Sequence, residues 1–301
     1  MKHAYIMNVL ILGSEGFVGH NLISGLKNDF ILTASDIHSS SNQDVKYVKS
    51  DVTKFDEVKS ITKDTDIIIN LAAHTLVSSF DQVIVNAKIN IIGMLNVLES
   101  ARINNVQKII FSSASSLIGD SQENLITEKY PANPKTAYGV SKMACEHYLR
   151  IFNDLYGLNY VTFRFFNIYG PHQINGLIPS LILKLKKNQK VTVFGEGDQI
   201  RDYVYIEDAV PFFKKAIKSN VANNKILNFG TGIGYSVMDV INVLSKHLDT
   251  KPKIDFRPSR QGEISNFVAD TRLLNSTFGS IPNTTLETGL SKTLTWYNNK
   301  S

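Results

Sequence analysis

Five short apolar runs recur along the first part of the chain: NVLIL (8–12), FILTAS (30–35), DIIINLA (66–72), KIIFSS (108–113) and YVTFRFF (160–166). Each is near-continuous in apolar residues, as a strand buried on both faces must be. Segments with helical periodicity lie between them, at 17–27, 54–63, 81–102 and 136–156. Strands separated by helices pair in parallel, because each crossover has to carry the chain back across the sheet. The expected fold is therefore α/β, a doubly wound, Rossmann-like parallel sheet over about residues 1–167. Beyond it the punctuation changes to YGPHQINGLIP and FGEGDQIRDY, which predicts a smaller α/β domain over 168–301. The segment 203–231 is expected to return to the first domain, with KILNFG (225–230) rejoining its sheet. A chain of 301 residues, 43% hydrophobic, can bury both cores.

Several function classes are excluded at this stage. No apolar run approaches the roughly 20 residues of a membrane span. The opening MKHAYIMNVLILG runs straight into a glycine-rich turn and reads as a strand, not a signal peptide. The single cysteine, Cys145, permits no internal disulfide and fits a reducing cytoplasm. It lies in a helical segment and reads as a small core residue. The net charge of +5 is spread over lysine clusters such as KLKK (184–187) and FFKKAIK (212–218). These read as solvated helix faces, not as a nucleic-acid stripe. His74, His172 and Asp208 have no metal-site spacing, so no metal is expected.

NVLILGSEGFVGHNL places Gly13, Gly16 and Gly19 between the first strand and the first helix. Gly13 suits the tight turn, Gly16 lets backbone approach a pyrophosphate, and Gly19 lets helix pack on strand. The helix N-terminus adds free N–H groups and the positive end of its dipole. Asp36 follows the second strand, where a carboxylate accepts hydrogen bonds from ribose hydroxyls. No arginine follows it in DIHSSSN, so a 2′-phosphate would be repelled without a partner, which favours NAD over NADP. Asp51, after the third strand, either reads the adenine amino group or caps the following helix.

KTAYGVSKMACEHYL holds Tyr138 and Lys142 four residues apart, on one face of a helix. An ammonium beside a phenol favours the phenolate, a general base for an alcohol; the phenol is the matching acid for a ketone.

Taken together these segments resemble the extended short-chain dehydrogenase/reductase family, in particular its nucleotide-sugar epimerases and dehydratases. LGSEGFVG resembles the family's glycine turn, with Leu12 where threonine is usual, and INLAAHTLV its segment after the fourth strand, with Asn70 where histidine is usual. NIIGMLNVLESA resembles its dimer-side helix, and YGVSK its YxxxK signature. RFFNIYGPHQ, GEGDQIRDYVYIEDA and RPSRQGE follow in register on the substrate side. The resemblance implies an NAD-dependent 4-epimerase of a UDP-hexose working through a 4-keto sugar, in polysaccharide biosynthesis; the alternatives are an NAD(P)H-dependent 4-keto-sugar reductase and a non-catalytic dinucleotide-binding protein. It implies a homodimer built on a four-helix bundle of the helices at 81–102 and 136–156, with Val83, Val85, Ile89, Ile92 and Met94 as candidate contacts.

By the same resemblance NAD is held by Gly13, Glu15, Gly16, Phe17, Val18 and Gly19. Asp36 and Ile37 follow on the second strand, Asp51 and Val52 on the third, and Leu71, Ala72 and Ala73 on the fourth. Asn90, Ser112, Tyr138, Lys142 and Phe165, the last near the nicotinamide, complete the cofactor set. Asn167, Arg201 and Arg260 are implied for the nucleotide-sugar diphosphate, which the planar guanidinium fork suits.

IIFSSASSLIG (109–119) departs from the family's pattern. The family carries a serine or threonine five residues before Gly119, bonded to the reacting oxygen; here that position is Ala114. Ser113 is the expected replacement, with Ser115 and Ser116 as alternatives. The acidic pair of the family's dehydratases is replaced by Ser115 and Ser116, neither of which can take a C5 proton at neutral pH. Dehydration is therefore disfavoured.

Overall fold

The computed structural model describes residues 6–40, 44–121, 123–259 and 265–299. The chain divides into two compact units. The first comprises the chain to Gly119, Pro131–Phe165 and Val210–Leu227; the second comprises Asp120–Tyr130, Phe166–Ala209 and the chain from Asn228. The expected boundary at 167 thus falls at Phe165. The returning segment is 210–227, not 203–231, and residues 120–130 leave the first unit for the second.

The first unit is built on β1 (Asn8–Leu12), β2 (Ile31–Asp36), β3 (Lys46–Lys49), β4 (Ile67–Asn70), β5 (Lys108–Ala114) and β6 (Asn159–Phe165). They pair in parallel in the order β6-β5-β4-β1-β2-β3. A seventh strand in Lys225–Phe229 adds beyond β6, as KILNFG predicts. The chain winds from β1 outward through β2 and β3, then crosses back to β4 on β1's other side. That reversal opens the crevice beyond the strand ends where doubly wound folds bind ligands. Strand centres are sealed: Leu10, Ile11, Ile68, Ile69, Ile109 and Ile110 are fully buried. Helices α1 (Phe17–Leu26), α2 (Phe55–Ile61), α3 (Val83–Ala87), α4 (Gly93–Ile103) and α5 (Ala137–Tyr156) belong to the same unit.

Two helices matter for the site. α3 runs into α4 through a π turn over Lys88–Ile92, a device often seen at functional positions. The continuous stretch Val83–Ile103 has a mean hydropathy of 1.3 and is long and apolar enough to cross a membrane by length and composition, contrary to the expectation from the sequence. Its Met94, Val97, Leu98 and Ala101 pack in the unit's core, while Val83, Ile84, Val85, Ile92 and Ile103 are exposed. α5 begins where Thr136 Oγ1 accepts the Gly139 N–H at 3.0 Å and ends at Gly157, whose φ of 67° places it in the left-handed region. A side-chain cap and a glycine stop fix both ends of the helix, and so the height of Tyr138.

The second unit contains β7 (Asn167–Tyr169), β8 (Val191–Phe194), β9 (Ile200–Tyr205), β10 (Lys225–Phe229, shared with the first unit's sheet), β11 (Gly234–Ser236), β12 (Ile254–Arg257) and β13 (Asn266–Phe267). β9 is central, flanked by β7, β11 and β13. α6 (Leu177–Lys186), α7 (Ala209–Lys218, almost wholly in the first unit), α8 (Val237–His247), α9 (Arg272–Phe278) and α10 (Leu286–Asn299) complete the chain. The buried Asp202 on β9 ties the unit's loops together, accepting from Thr231 N–H and Oγ1, Gly232 N–H and Ala269 N–H. Burial raises its pKa above the usual carboxylate range, against the pull of those donors.

Candidate active site

The three glycines of the first turn divide by their surroundings. Gly13 has φ +78°, and a Cβ there would lie 2.7 Å from the Ala72 nitrogen. A Cβ on Gly19 would lie 2.6 Å from the Gly13 carbonyl oxygen and closer still to that of Ser14. Both positions are therefore closed to any side chain. Gly16 is exposed, with only the Gly13 oxygen near, at 3.3 Å. It is the N-cap of α1 and has no side-chain cap, so the first-turn N–H groups of Phe17, Val18 and Gly19 face an open approach. This is the cradle a pyrophosphate needs, and the turn fits a dinucleotide.

Asp36 ends β2 and pins the turn: its Oδ2 accepts the Glu15 N–H and its Oδ1 the His38 N–H, both at 3.1 Å. A carboxylate oxygen has two lone pairs, so acceptor capacity for ribose hydroxyls remains. Ile37 beside it is 53% exposed, an uncovered apolar surface next to that carboxylate. Asp51 Oδ1 accepts from both the N–H and the Oγ1 of Thr53, at 2.9 and 2.8 Å. These bonds close the turn ahead of α2, whose N-cap is Lys54 with no side-chain cap, so Asp51 does not cap that helix. Val52 packs into the core beside Gly93.

Leu71, Ala72 and Ala73 follow β4 across Gly13. Asn70 Oδ1 accepts the Ala72 N–H at 3.2 Å. The π turn directs Asn90 onto the next residue of this loop. Its Oδ1 accepts the His74 N–H at 2.7 Å, and its Nδ2 donates to the His74 carbonyl and to Ser141 Oγ at 3.2 and 2.9 Å. Asn90 is buried and its amide is occupied on both sides. It fixes the loop and joins it to α5.

Tyr138 and Lys142 stand one turn apart on α5, beside the end of β5. Lys142 Nζ donates to the Ser112 carbonyl at 2.7 Å and lies 4.6 Å from the Phe111 ring centre and 5.4 Å from that of Tyr138. Ser112 thus serves through its backbone. Burial pulls the Lys142 pKa down to about 8, against Cys145 and Glu146, which raise it. Burial also pushes the Tyr138 phenol well above its ordinary value. The spacing alone predicts a lowered phenol; the ammonium, drawn to Ser112 and Phe111, does not offset the desolvation. Near neutral pH the pair rests as phenol and ammonium.

Ser113 does not stand in for the hydroxyl missing at Ala114. It is 2% exposed and donates to Glu146 Oε1 at 2.6 Å. Successive side chains of a strand point to opposite faces, so the neighbour of Ala114 on β5 faces away from the direction Ala114 takes. Ser115 is buried in the turn that follows β5. Ser116 Oγ is buried and has no hydrogen-bond partner among the described residues. Its carbonyl oxygen would lie 2.7 Å from a Cβ on Gly139, so the turn sits hard against the helix residue after Tyr138. Phe165 is buried against Phe163 and stacked on Phe213 with centroids 6.4 Å apart.

In the second unit, Asn167 on β7 pairs in register with Tyr203 of β9, two residues from Arg201. Strand alternation puts Asn167 and Arg201 on one face of that sheet. Arg201 Nη1 donates to the Ile200 carbonyl at 2.8 Å. Arg260 lies outside the described residues. Sequence reasoning missed Glu146, which joins Ser113 to Arg164; its position four residues past Lys142, on the same helix face, was the available signal.

The chain's residues 9–230 match the model of the "NAD dependent epimerase/dehydratase family". It is 28% identical to a UDP-glucose 4-epimerase of Mycolicibacterium smegmatis over 98% of this chain and all of that one. It superposes on the UDP-glucose 4-epimerase of Thermotoga maritima, solved with UDP-glucose, with a TM-score of 0.92 at 27% identity over 98% of this chain and 99% of the other. A UDP-N-acetylglucosamine 4-epimerase of Methanobrevibacter ruminantium, solved with UDP-N-acetylmuramic acid, gives a TM-score of 0.92 at 26% identity over the same shares. With its glycine turn, its acid after β2 and its tyrosine–lysine pair in place, the chain belongs to the NAD-dependent epimerase/dehydratase family of extended short-chain dehydrogenases/reductases.

Proposed function

We propose that the protein interconverts UDP-hexoses differing at C4. The observation that carries this reading is the placement of Tyr138 and Lys142, one turn apart on α5 beside the end of β5. NAD, when bound, supplies the hydride acceptor and donor. Gly16 and the start of α1 receive its pyrophosphate, and Asp36 its adenosine ribose. Tyr138, once its phenol is deprotonated, takes the proton of the sugar's 4-hydroxyl at the phenolate oxygen and later returns it. Lys142 keeps positive charge beside that oxygen and orients the nicotinamide ribose. Ser116 is the serine we favour for the missing hydroxyl: its turn sits against Gly139, the residue after Tyr138, and its Oγ has no hydrogen-bond partner among the described residues. Asn167, Arg201 and Arg260 bind the diphosphate. The test is a panel of UDP-sugars given to the enzyme with no added reductant. UDP-glucose and UDP-galactose, or their 2-acetamido analogues, should interconvert on co-purified NAD; stoichiometric consumption of added NADH with a 4-keto sugar, and no interconversion, would make the protein a reductase.

The acting form is a homodimer. Val83, Ile84, Val85 and Ile92 on the α3–α4 stretch are exposed, Ile84 by 84%, and so are Val140, Ile151 and Leu155 on α5. Two copies pairing these helices would cover both rows. Met94, an expected contact, is excluded, since it is 1% exposed within its own core. Light scattering at micromolar concentration should give twice the 33.6 kDa chain mass, and Ile84→Glu should shift it to monomer.

A further inference from the structure

Glu146 is buried, 5% exposed, one turn beyond Lys142 and two beyond Tyr138 on the same face of α5. Its Oε1 accepts from Ser113 Oγ at 2.6 Å and from Arg164 Nε at 2.9 Å, and its Oε2 from Arg164 Nη2 at 2.7 Å. Ser113 on β5 and Arg164 on β6 are directly paired neighbours in the sheet. One carboxylate therefore clips the helix to two strands at once. The preceding turn is clipped as well, by Lys142 to the carbonyl of Ser112. Consecutive helix turns are thus fastened to consecutive residues of β5. Stability is a poor explanation for such an ion pair, because its desolvation penalty commonly matches what its attraction returns.

We propose that Glu146 is a positioning residue for the Tyr138–Lys142 pair, holding α5 in register on β5 and β6 and sustaining the ammonium of Lys142 with its negative charge. The groups facing Lys142 bear this out. On α5 these are Tyr138, Cys145 and the neutral Ser141. β5 presents the Phe111 ring and the Ser112 carbonyl, and β6 brings Arg164 against the Glu146 carboxylate. Burial pushes the Cys145 thiol up to about 12, so it is neutral near pH 7. Among the described residues, Glu146 is then the carboxylate that acts on Lys142, whose own pKa stands at only about 8. Arg164, hydrogen-bonded to both oxygens of the same carboxylate, offsets part of its charge.

The inference rests on Tyr138 and Lys142 acting as proposed, and its test is the pH dependence of turnover. Wild type is compared with Glu146→Gln, with Glu146→Asp, and with the double variant Glu146→Gln/Arg164→Gln, which leaves no lone buried charge. Removing a negative charge lowers the pKa of every ionisable group near it. Both limbs of the bell-shaped profile should therefore move to lower pH, by about one unit in Glu146→Gln and about half a unit in the double variant. Glu146→Asp keeps the charge, and its limbs should stay in place although the rate falls. Limbs that stay put in both amide variants, with only a uniform loss of rate or of melting temperature, would reduce Glu146 to a structural brace and overturn the inference. Tyr138→Phe separates the two levels: if that variant is inactive while the limbs are unmoved, only the role of Glu146 fails, whereas a fully active Tyr138→Phe removes the reading beneath it.

Discussion

Tyr138→Phe is expected to slow turnover by roughly 10² to 10⁴-fold, the usual share of a positioned proton donor and acceptor. The ring, its packing on α5 and the position of Lys142 all survive the change, so bound NAD, followed by its absorbance on the purified protein, should be retained. The loss should appear in kcat and in kcat/KM alike, since the phenol oxygen matters most where the proton is in flight. The serines extend the same experiment. Ser116→Ala should cost roughly tenfold in turnover, about one hydrogen bond's worth, because it deletes the unpartnered hydroxyl beside the start of α5. Ser113→Ala should leave turnover within about twofold, since its hydroxyl is spent on Glu146, which Arg164 still holds. A crippled Ser113→Ala beside an untouched Ser116→Ala would reverse that assignment.

Gly13→Ala should be the most damaging change in the phosphate turn. A left-handed backbone at φ +78° disfavours any Cβ, and this one would press on the Ala72 backbone at 2.7 Å, where no side-chain rotation relieves it. Strain and overpacking together should cost about 2–4 kcal/mol, with the melting temperature falling by roughly 5–10 °C. Gly16→Ala is the matched contrast. Gly16 is exposed and has ordinary φ, so the fold should tolerate a methyl, but that methyl sits where the pyrophosphate approaches. NAD affinity, measured by calorimetry, should drop by roughly tenfold or more while the melting temperature of the apo protein stays within about 2 °C. Equal thermal damage at both glycines would mean that the turn is only a packing feature.

What the sequence determined by itself was local and periodic. Continuous apolar runs alternating with amphipathic segments fixed a parallel α/β sheet, because backbone hydrogen bonding leaves buried strands no other partners. Gly13, Gly16, Gly19 and Asp36 named the dinucleotide turn, since close backbone approach and a free helix end admit few residue types. Tyr138 and Lys142 were legible as a pair because a helix turn joins residues four apart wherever it sits. The tertiary structure alone decided which face each remaining side chain took. Ser113 and Ala114 are neighbours in sequence, but a strand sends them in opposite directions, and Ser113 meets Glu146 and Arg164 only once α5 lies across β5 and β6. Asn90 is directed to His74 by a π turn that no local pattern announces. Met94 and Phe165 went to the core because their partners are distant in sequence. The direction of the Tyr138 shift was likewise a matter of burial: adjacency to a lysine can be read from spacing, whereas the desolvation that outweighs it exists only in the folded chain.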